Sequence, residues 1–311
     1  MDMPPVMRVV VVTNEKPHHL YFAATIAGAH NVVGVVHPEA KPDSRRQVLE
    51  KLRRRYRSYG AVLTALHVLS RFPPPVAGWR PRVDEGVVET REFAASTDLY
   101  DTNVPFADRH HAADLNGPEG IALIRGLEPD VVVCLGGPIF RQDLISACRF
   151  MINYHTGLSP IYNGFDTISL AFADGHPHLC AGTLMKTNPV VDGGEILGHY
   201  LPSITEDDTP ATLFAKAVKG AAVLASEFLT HLDRTGSYVS VPQPPPHVYA
   251  VSARWNLNHG HMVNWHLRRR TCQQHLREEA IVRYWDASTV DAARSNMQST
   301  LAGLLLRNGA R

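Results

Sequence analysis

Three side chains near the middle of the chain have the types and spacing for proton-coupled acyl chemistry. Asn153 and His155 stand two apart in Asn-Tyr-His, and Asp192 follows in Val-Asp-Gly-Gly. An amide, an imidazole and a carboxylate at the ends of apolar runs suit acyl transfer to an amine. The imidazole takes a proton from the attacking amine, and the carboxylate orients the imidazole and favours its charged form. The amide donates a hydrogen bond to the oxyanion that develops. A lone His at a strand end, or an Asp before two glycines, is more often structural. The combination carries the reading.

The elements around them fix their placement. Phe150-Met-Ile-Asn-Tyr-His155 is strand-like, so Asn153 and His155 point to one face. Gly157, Pro160 and Gly164 then force a loop ahead of a helix over 167–173. Upstream, Arg8–Thr13 and Asn31–His37 are continuous β-branched runs that suit doubly buried strands, with a helix over 17–29 between them. Strand, helix, strand favours a parallel sheet with right-handed crossovers. No Gly-x-Gly-x-x-Gly follows the first strand, which weighs against a dinucleotide site there. A helix over 117–126 leads to the strand Leu127–Leu135, which ends in Gly136-Gly137-Pro138-Ile139. Glycines at a strand's carboxyl end let backbone approach a ligand, at the edge where open α/β sheets bind ligands. A tight turn into a helix over 140–148 is the plainer alternative. A strand over 195–201 and an amphipathic helix over 209–232 complete this part.

The whole pattern, Asn153-x-His155-x-Gly157-Leu-x-Pro160-x-Tyr162-x-Gly164 with a separate Asp192-Gly193-Gly194, resembles the folate-dependent formyltransferases. That family includes the glycinamide ribonucleotide, methionyl-tRNA and sugar N-formyltransferases. The resemblance spans residues 7–235, most tightly 121–201. It implies a Rossmann-like, largely parallel α/β sheet flanked by helices, with a small helical C-terminal extension. It also implies transfer of a formyl group from 10-formyltetrahydrofolate to a primary amine, without a metal. His155 accepts the amine's proton, Asp192 holds His155, and Asn153 binds the formyl oxygen. Leu135, Gly136, Gly137, Pro138 and Ile139 face the pterin of the folate, with Val190 and Val191 completing its site. Two positions depart from the family pattern: Met185 stands where many members have His, and Asn163 where Arg is frequent.

The acceptor expected from the resemblance is a small-molecule amine, first an amino sugar on a nucleotide, then an amine of a specialised metabolite. Nucleic acid and membrane are not expected partners. A formyltetrahydrofolate hydrolase and a non-catalytic folate- or nucleotide-binding protein are the competing readings. Release of tetrahydrofolate only on adding an amine separates the transferase from both.

Composition agrees with an enzyme. The 311 residues are 44% hydrophobic and 20% charged, with a net charge of +1 that gives no general attraction to polyanions. Residues 1–6 lack signal-peptide form, and no run approaches the roughly 20 apolar residues of a membrane span. The four cysteines form no Cys-x-x-Cys pair, and a reducing cytoplasm is the default. The paired histidines His18-His19, His110-His111, His176-x-His178 and His259-x-His261 lack zinc-site spacing and are expected to be exposed or capping. His18 and His19 are also placed to line the mouth of the site.

Two flanking segments are arginine-rich. Residues 41–71 alternate apolar Leu49, Leu52, Tyr56, Val62, Leu63, Leu66 and Leu69 with Arg45, Arg46, Arg53, Arg54, Arg55 and Arg57. The expected role is the solvated face of a helix packed on the domain, ending at the prolines 73–75. Anion attraction is the alternative. The proline-rich stretch 241–246 divides a catalytic domain, 1–240, from an extension, 241–311, carrying Arg254, Arg268, Arg269, Arg270, Arg277 and Arg283. Its expected form is a helical appendage packed on the main domain. An acceptor lid, a homodimer surface and an RNA contact are the functional alternatives.

Overall fold

The structure is a computed structural model that describes residues 6–39, 45–69, 85–250 and 257–306. The prolines 73–75, Arg254 and the Arg45 side chain lie outside the described residues. An eight-stranded sheet forms the centre. Its strands are β1 (Val9–Thr13), β2 (Val32–Pro38), β3 (Arg109–Ala112), β4 (Val131–Leu135), β5 (Met151–His155), β7 (Gly182–Lys186), β8 (Ile196–Leu201) and β10 (Ala280–Arg283), while β6 (Tyr162–Gly164) and β9 (Val248–Ala250) make a separate two-stranded ribbon. The order across the sheet is β10-β8-β7-β5-β4-β1-β2-β3. Strands β1 to β5 run parallel, and β7, β8 and β10 add antiparallel pairings on one side.

The apolar runs explain the centre. Every residue of β1 and β4 is buried, and the two strands lie side by side. Alternation splits their side chains between two cores. Val9, Val11, Val131 and Val133 join Phe22 and Ile26 of helix α1 (Pro17–Ala29). Val10, Val12, Val132 and Cys134 join Ile124 of a helix over Pro118–Gly126. The first core also takes Val218, Leu224 and Phe228 from the long helix Pro210–Thr235. That helix starts at a Thr209–Thr212 capping box with Pro210 in the first turn, and stops at the left-handed Gly236. Ile152 and Tyr154 of β5 enter the same core. By alternation, Asn153 and His155 therefore turn to the opposite face.

Several expectations change. The helix expected over 140–148 is only Gln142–Ile145, because Cys148 to Phe150 already lead into β5. Arg109–Ala112 is a strand beside β2, although its polar sequence carries no buried-strand signal. The helix Arg45–Leu69 is interrupted at Gly60, where φ is 76°. Arg46, Arg53, Arg54 and Arg57 are exposed as expected, but Leu49, Tyr56 and Val62 are exposed too, and Arg55 is buried and donates to the Leu63 carbonyl across the interruption. The C-terminal region supplies more than helices. β10 pairs antiparallel with β8, and Trp285 beyond it enters the first core. A last helix, Val290–Leu306, lays Ala293 and Met297 against Tyr284, Val241 and Ile196. Among the described residues, no helix is long and apolar enough to cross a membrane.

Candidate active site

Asn153, His155 and Asp192 come together at one end of β5. The hairpin between β7 and β8 makes this less obvious than the sequence implies. Register sets Thr183 opposite His155 and Lys186 opposite Ile152, so β7 leaves the sheet at the end of β5 away from His155. Residues 187–195 must therefore fold back across the face. They do so, and Asp192 Oδ2 lies 3.3 Å from His155 Nδ1, with the side chains 6% and 9% exposed for His155 and Asp192. The same carboxylate oxygen accepts the Gly164 backbone N–H at 2.8 Å. Asp192 itself adopts φ 51°, a left-handed conformation that Asp tolerates better than most residues.

The other nitrogen of the imidazole is also engaged. His155 Nε2 donates to the Tyr162 carbonyl at 3.0 Å. Gly157 makes room for this ring, since a Cβ there would stand 2.2 Å from Nε2 and 2.5 Å from Thr167 Oγ1. Thr183 fixes the loop by donating to the Gly157 carbonyl at 2.6 Å and accepting the Ser159 N–H at 3.0 Å.

Three other buried histidines behave differently. His19 donates from Nδ1 to Thr13 Oγ1 at 2.7 Å, because that hydroxyl gives its proton to the Leu135 carbonyl, and its Nε2 accepts from Asn14 at 3.4 Å. His37 donates to the Thr13 carbonyl and accepts from the Tyr100 hydroxyl. His199 donates to the Ser159 carbonyl and accepts from the Tyr284 hydroxyl. Each has one donor and one acceptor nitrogen, which the neutral ring satisfies. Burial accordingly pushes His19 down to about 3 and His199 to about 4, with His18 and Lys16 adding to the effect at His19. His155 alone of these four rings faces oxygen acceptors on both nitrogens. The acceptor at its Nδ1 is the Asp192 carboxylate.

Asn153 is half-buried, and its amide makes no hydrogen bond within the chain among the described residues. It lies opposite Met185 in the β5–β7 pairing, and Met185 is buried. The departure from His at 185 thus puts a thioether beside the amide. The departure at 163 also has a function in the fold: Asn163 is buried and donates from Nδ2 to the Asp192 carbonyl at 2.7 Å.

Beyond β4, Gly136 and Gly137 take left-handed φ of 77° and 97°. Both are exposed, next to β5's carboxyl end, because Leu135 pairs with Tyr154. A Cβ on Gly136 would sit 2.6 Å from His19 Cε1, so the turn is built for backbone alone. Leu135 is buried, Pro138 half-buried, and Ile139 66% exposed. In the Asp192 loop, Val190 is 64% exposed and Val191 half-buried.

Some expectations fail. His18, His19 and His178 are buried rather than exposed or capping. His18 contacts Glu89 at 2.5 Å, and His19 props the Gly136 turn from below. The arginines of the C-terminal region are partly committed elsewhere. Arg277 donates to the Pro202, His178 and Cys180 carbonyls, and Arg283 forms a two-point ion pair with Glu227. Among the described residues, no group of three His, Cys, Asp or Glu side chains could hold a metal ion.

Sequence reasoning missed Gln243. Its side-chain amide donates to the Asp192 carbonyl at 2.8 Å and to the Gly194 carbonyl at 2.5 Å. It also missed Tyr249, which pairs with Asn163 in the β6–β9 ribbon. The Tyr249 phenol is pushed up by burial and then by the Asp192 carboxylate. A glutamine inside a proline run and a three-residue strand carry no pattern that would reveal either.

The largely parallel sheet flanked by helices is a fold of the Rossmann-like α/β class. Residues 90–225 match the family described as formyl transferase. Over that span the chain is similar to the formyltransferases. It is 24% identical over 253 residues to a methionyl-tRNA formyltransferase of Paraburkholderia phymatum, covering 75% of this chain and 76% of that protein. It is 28% identical over 192 residues to a methionyl-tRNA formyltransferase of Burkholderia pseudomallei, of whose length it spans only 58% and which covers 59% of this chain. A sugar N-formyltransferase structure from Shewanella sp. FDAARGOS_354 superposes with a TM-score of 0.47 at 14% identity, over 78% of this chain and 76% of that one.

Proposed function

We propose that the protein transfers a formyl group from 10-formyltetrahydrofolate to the primary amine of a small molecule. The observation that carries this is the His155 environment, with an oxygen acceptor on each ring nitrogen and one of them a buried carboxylate. With Nε2–H committed to the Tyr162 carbonyl, Nδ1 is the atom that receives the amine's proton. Asp192 then holds the imidazolium through a charge-assisted contact. The amine nitrogen bonds to the formyl carbon, and the bond from that carbon to N10 then breaks, tetrahydrofolate leaving as the imidazolium returns a proton to N10. Asn153 offers its unengaged amide to the formyl oxygen as negative charge develops there. The Gly136–Gly137 backbone, with Leu135, Pro138, Ile139, Val190 and Val191, would hold the pterin.

A nucleotide-linked amino sugar is the acceptor to test first, followed by a free amino acid. The near-neutral net charge, and the commitment of Arg277 and Arg283 to internal partners, favour a small acceptor over a polyanion. Methionyl-tRNA is the second reading, favoured by the names of the curated relatives. A screen for tetrahydrofolate release over nucleotide-linked amino sugars, free amino acids and aminoacyl-tRNA, at two salt concentrations, separates them. A response to tRNA alone, falling steeply with salt, replaces the small-molecule reading. Release without any amine establishes a hydrolase.

A further inference from the structure

The geometry points to Gln243 as a positioning residue that sets the Asp192 carboxylate from the C-terminal segment. One side-chain NH2 group bridges two carbonyls two residues apart, those of Asp192 and Gly194. It thereby brackets the left-handed Asp192 and the Gly193 that follows it. Asn163 reinforces the bracket, donating from Nδ2 to the Asp192 carbonyl at 2.7 Å and to Gln243 Oε1 at 3.3 Å. The orientation of the Gln243 amide is dictated by these partners. Turned over, it would set Oε1 against two carbonyl oxygens with no proton between them.

The chain around Gln243 is anchored on both sides. Val241 exchanges backbone hydrogen bonds with Ile196, both at 2.8 Å. His247 N–H donates to the Pro160 carbonyl at 2.9 Å, and β9 then pairs with β6, the strand that supplies Tyr162 and Gly164. Pro244, Pro245 and Pro246 span the interval and leave it little freedom. The glutamine is therefore presented from a rigid support to a loop that must fold back across β5. Its amide touches no reacting atom and acts through the main chain of Asp192. Without those two donors, the Gly194 carbonyl loses its side-chain donor and the Asp192 carbonyl keeps only Asn163, so the turn loosens and the carboxylate shifts relative to His155.

This inference rests on the formyl-transfer reading for its kinetic consequence, but its structural consequence can be read without turnover. Gln243→Met keeps length and removes the donors, and Gln243→Glu sets a carboxylate against two carbonyls. Expected for Gln243→Met is a fall in kcat of about tenfold or more with donor KM within about twofold, since small misplacements of a catalytic group are costly. Gln243→Glu falls further. In the absence of substrates, the ring 15N shifts of His155, assigned with His155→Gln, move in both variants toward those of Asp192→Asn. Gln273→Ala, a surface change, moves neither quantity. If Gln243→Met does not fold, Gln243→Asn makes the same measurement, because it withdraws the donors by one methylene. Folded variants with wild-type kcat and unchanged His155 shifts overturn the inference. Shifts that move in a protein whose wild type transfers no formyl group uphold the positioning role and reject the formyl-transfer reading instead.

Discussion

Replacing Asp192 with Asn is the sharpest perturbation of the proposed proton transfer, because it removes a charge while keeping the shape. The asparagine Oδ1 still accepts the Gly164 N–H that Asp192 Oδ2 accepts at 2.8 Å, so the loop retains its anchor. The loss falls on the imidazolium. A unit charge pair at the observed 3.3 Å attracts by about 5 kcal/mol at an effective dielectric of about 20. A hydrogen bond to a charged group contributes a net of about 1.5–3 kcal/mol once desolvation is counted. Both side chains are more than nine-tenths buried, which places this pair at the upper end of that range. A barrier increase of about 2–3 kcal/mol follows, or roughly 30- to 160-fold in kcat, at 1.36 kcal/mol per decade. The assay is steady-state release of tetrahydrofolate at saturating acceptor, beside calorimetric binding of the folate and a thermal melt. Expected are a large loss of kcat, intact folate affinity and a small change in Tm. A kcat within about threefold of wild type in the folded variant would refute the assignment of Asp192 as the partner of a charged His155.

Asn153→Ala should lower kcat by roughly 10²–10³, the usual loss for one oxyanion donor, while leaving the melt unchanged, since the side-chain amide has no hydrogen-bond partner among the described residues; wild-type kcat would remove Asn153 from the mechanism. Gly136→Ala should weaken folate binding and lower stability by about 1–2 kcal/mol, because its φ is 77° and the new Cβ meets His19 at 2.6 Å; calorimetry with unchanged affinity would move the pterin elsewhere. Stability should also depend on acid through His19 and His199, which stay neutral when folded because burial depresses them to about 3 and about 4. The unfolded chain protonates them near the ordinary value of about 6.5, so stability is full above that pH and is lost as pH falls toward 4 and then 3. Equal Tm at about pH 7.5 and about pH 5 would contradict this linkage.

The central strands were legible because they are buried on both faces, so Val9–Val12 and Val131–Leu135 appear as unbroken apolar runs. Asn153, His155 and Asp192 stood out as a residue pattern, and the structure brings His155 and Asp192 together. Their geometry was not legible, since only tertiary structure folds residues 187–195 back over β5. Edge elements escaped for the opposite reason. Arg109–Ala112 is one polar strand at the sheet's margin, and β9 and β10 are three and four residues long, too short for alternation to register. The histidine pair His18-His19 looked solvent-facing because isolated polarity suggests exposure. Its burial depends on partners far away in sequence or contributed by the neighbouring strand, Glu89 for His18 and Thr13 for His19.

The late pairing of β10 with β8 has a consequence for how the protein is made. β8 ends at Leu201, and the strand that covers its outer edge begins only at Ala280. Until those intervening residues leave the ribosome, the backbone N–H and C=O groups of Gly198–Leu201 line an open sheet margin, a template for another chain. The slot beside Phe228 that Trp285 fills stays vacant for the same interval. A fragment cut after the long helix at Thr235 would keep that margin permanently, together with all three proposed catalytic side chains. Such a fragment is expected to aggregate in proportion to its concentration, and a chaperone that shields β strands during synthesis would raise the yield of the full chain more than that of a homologue whose edge strand is encoded early.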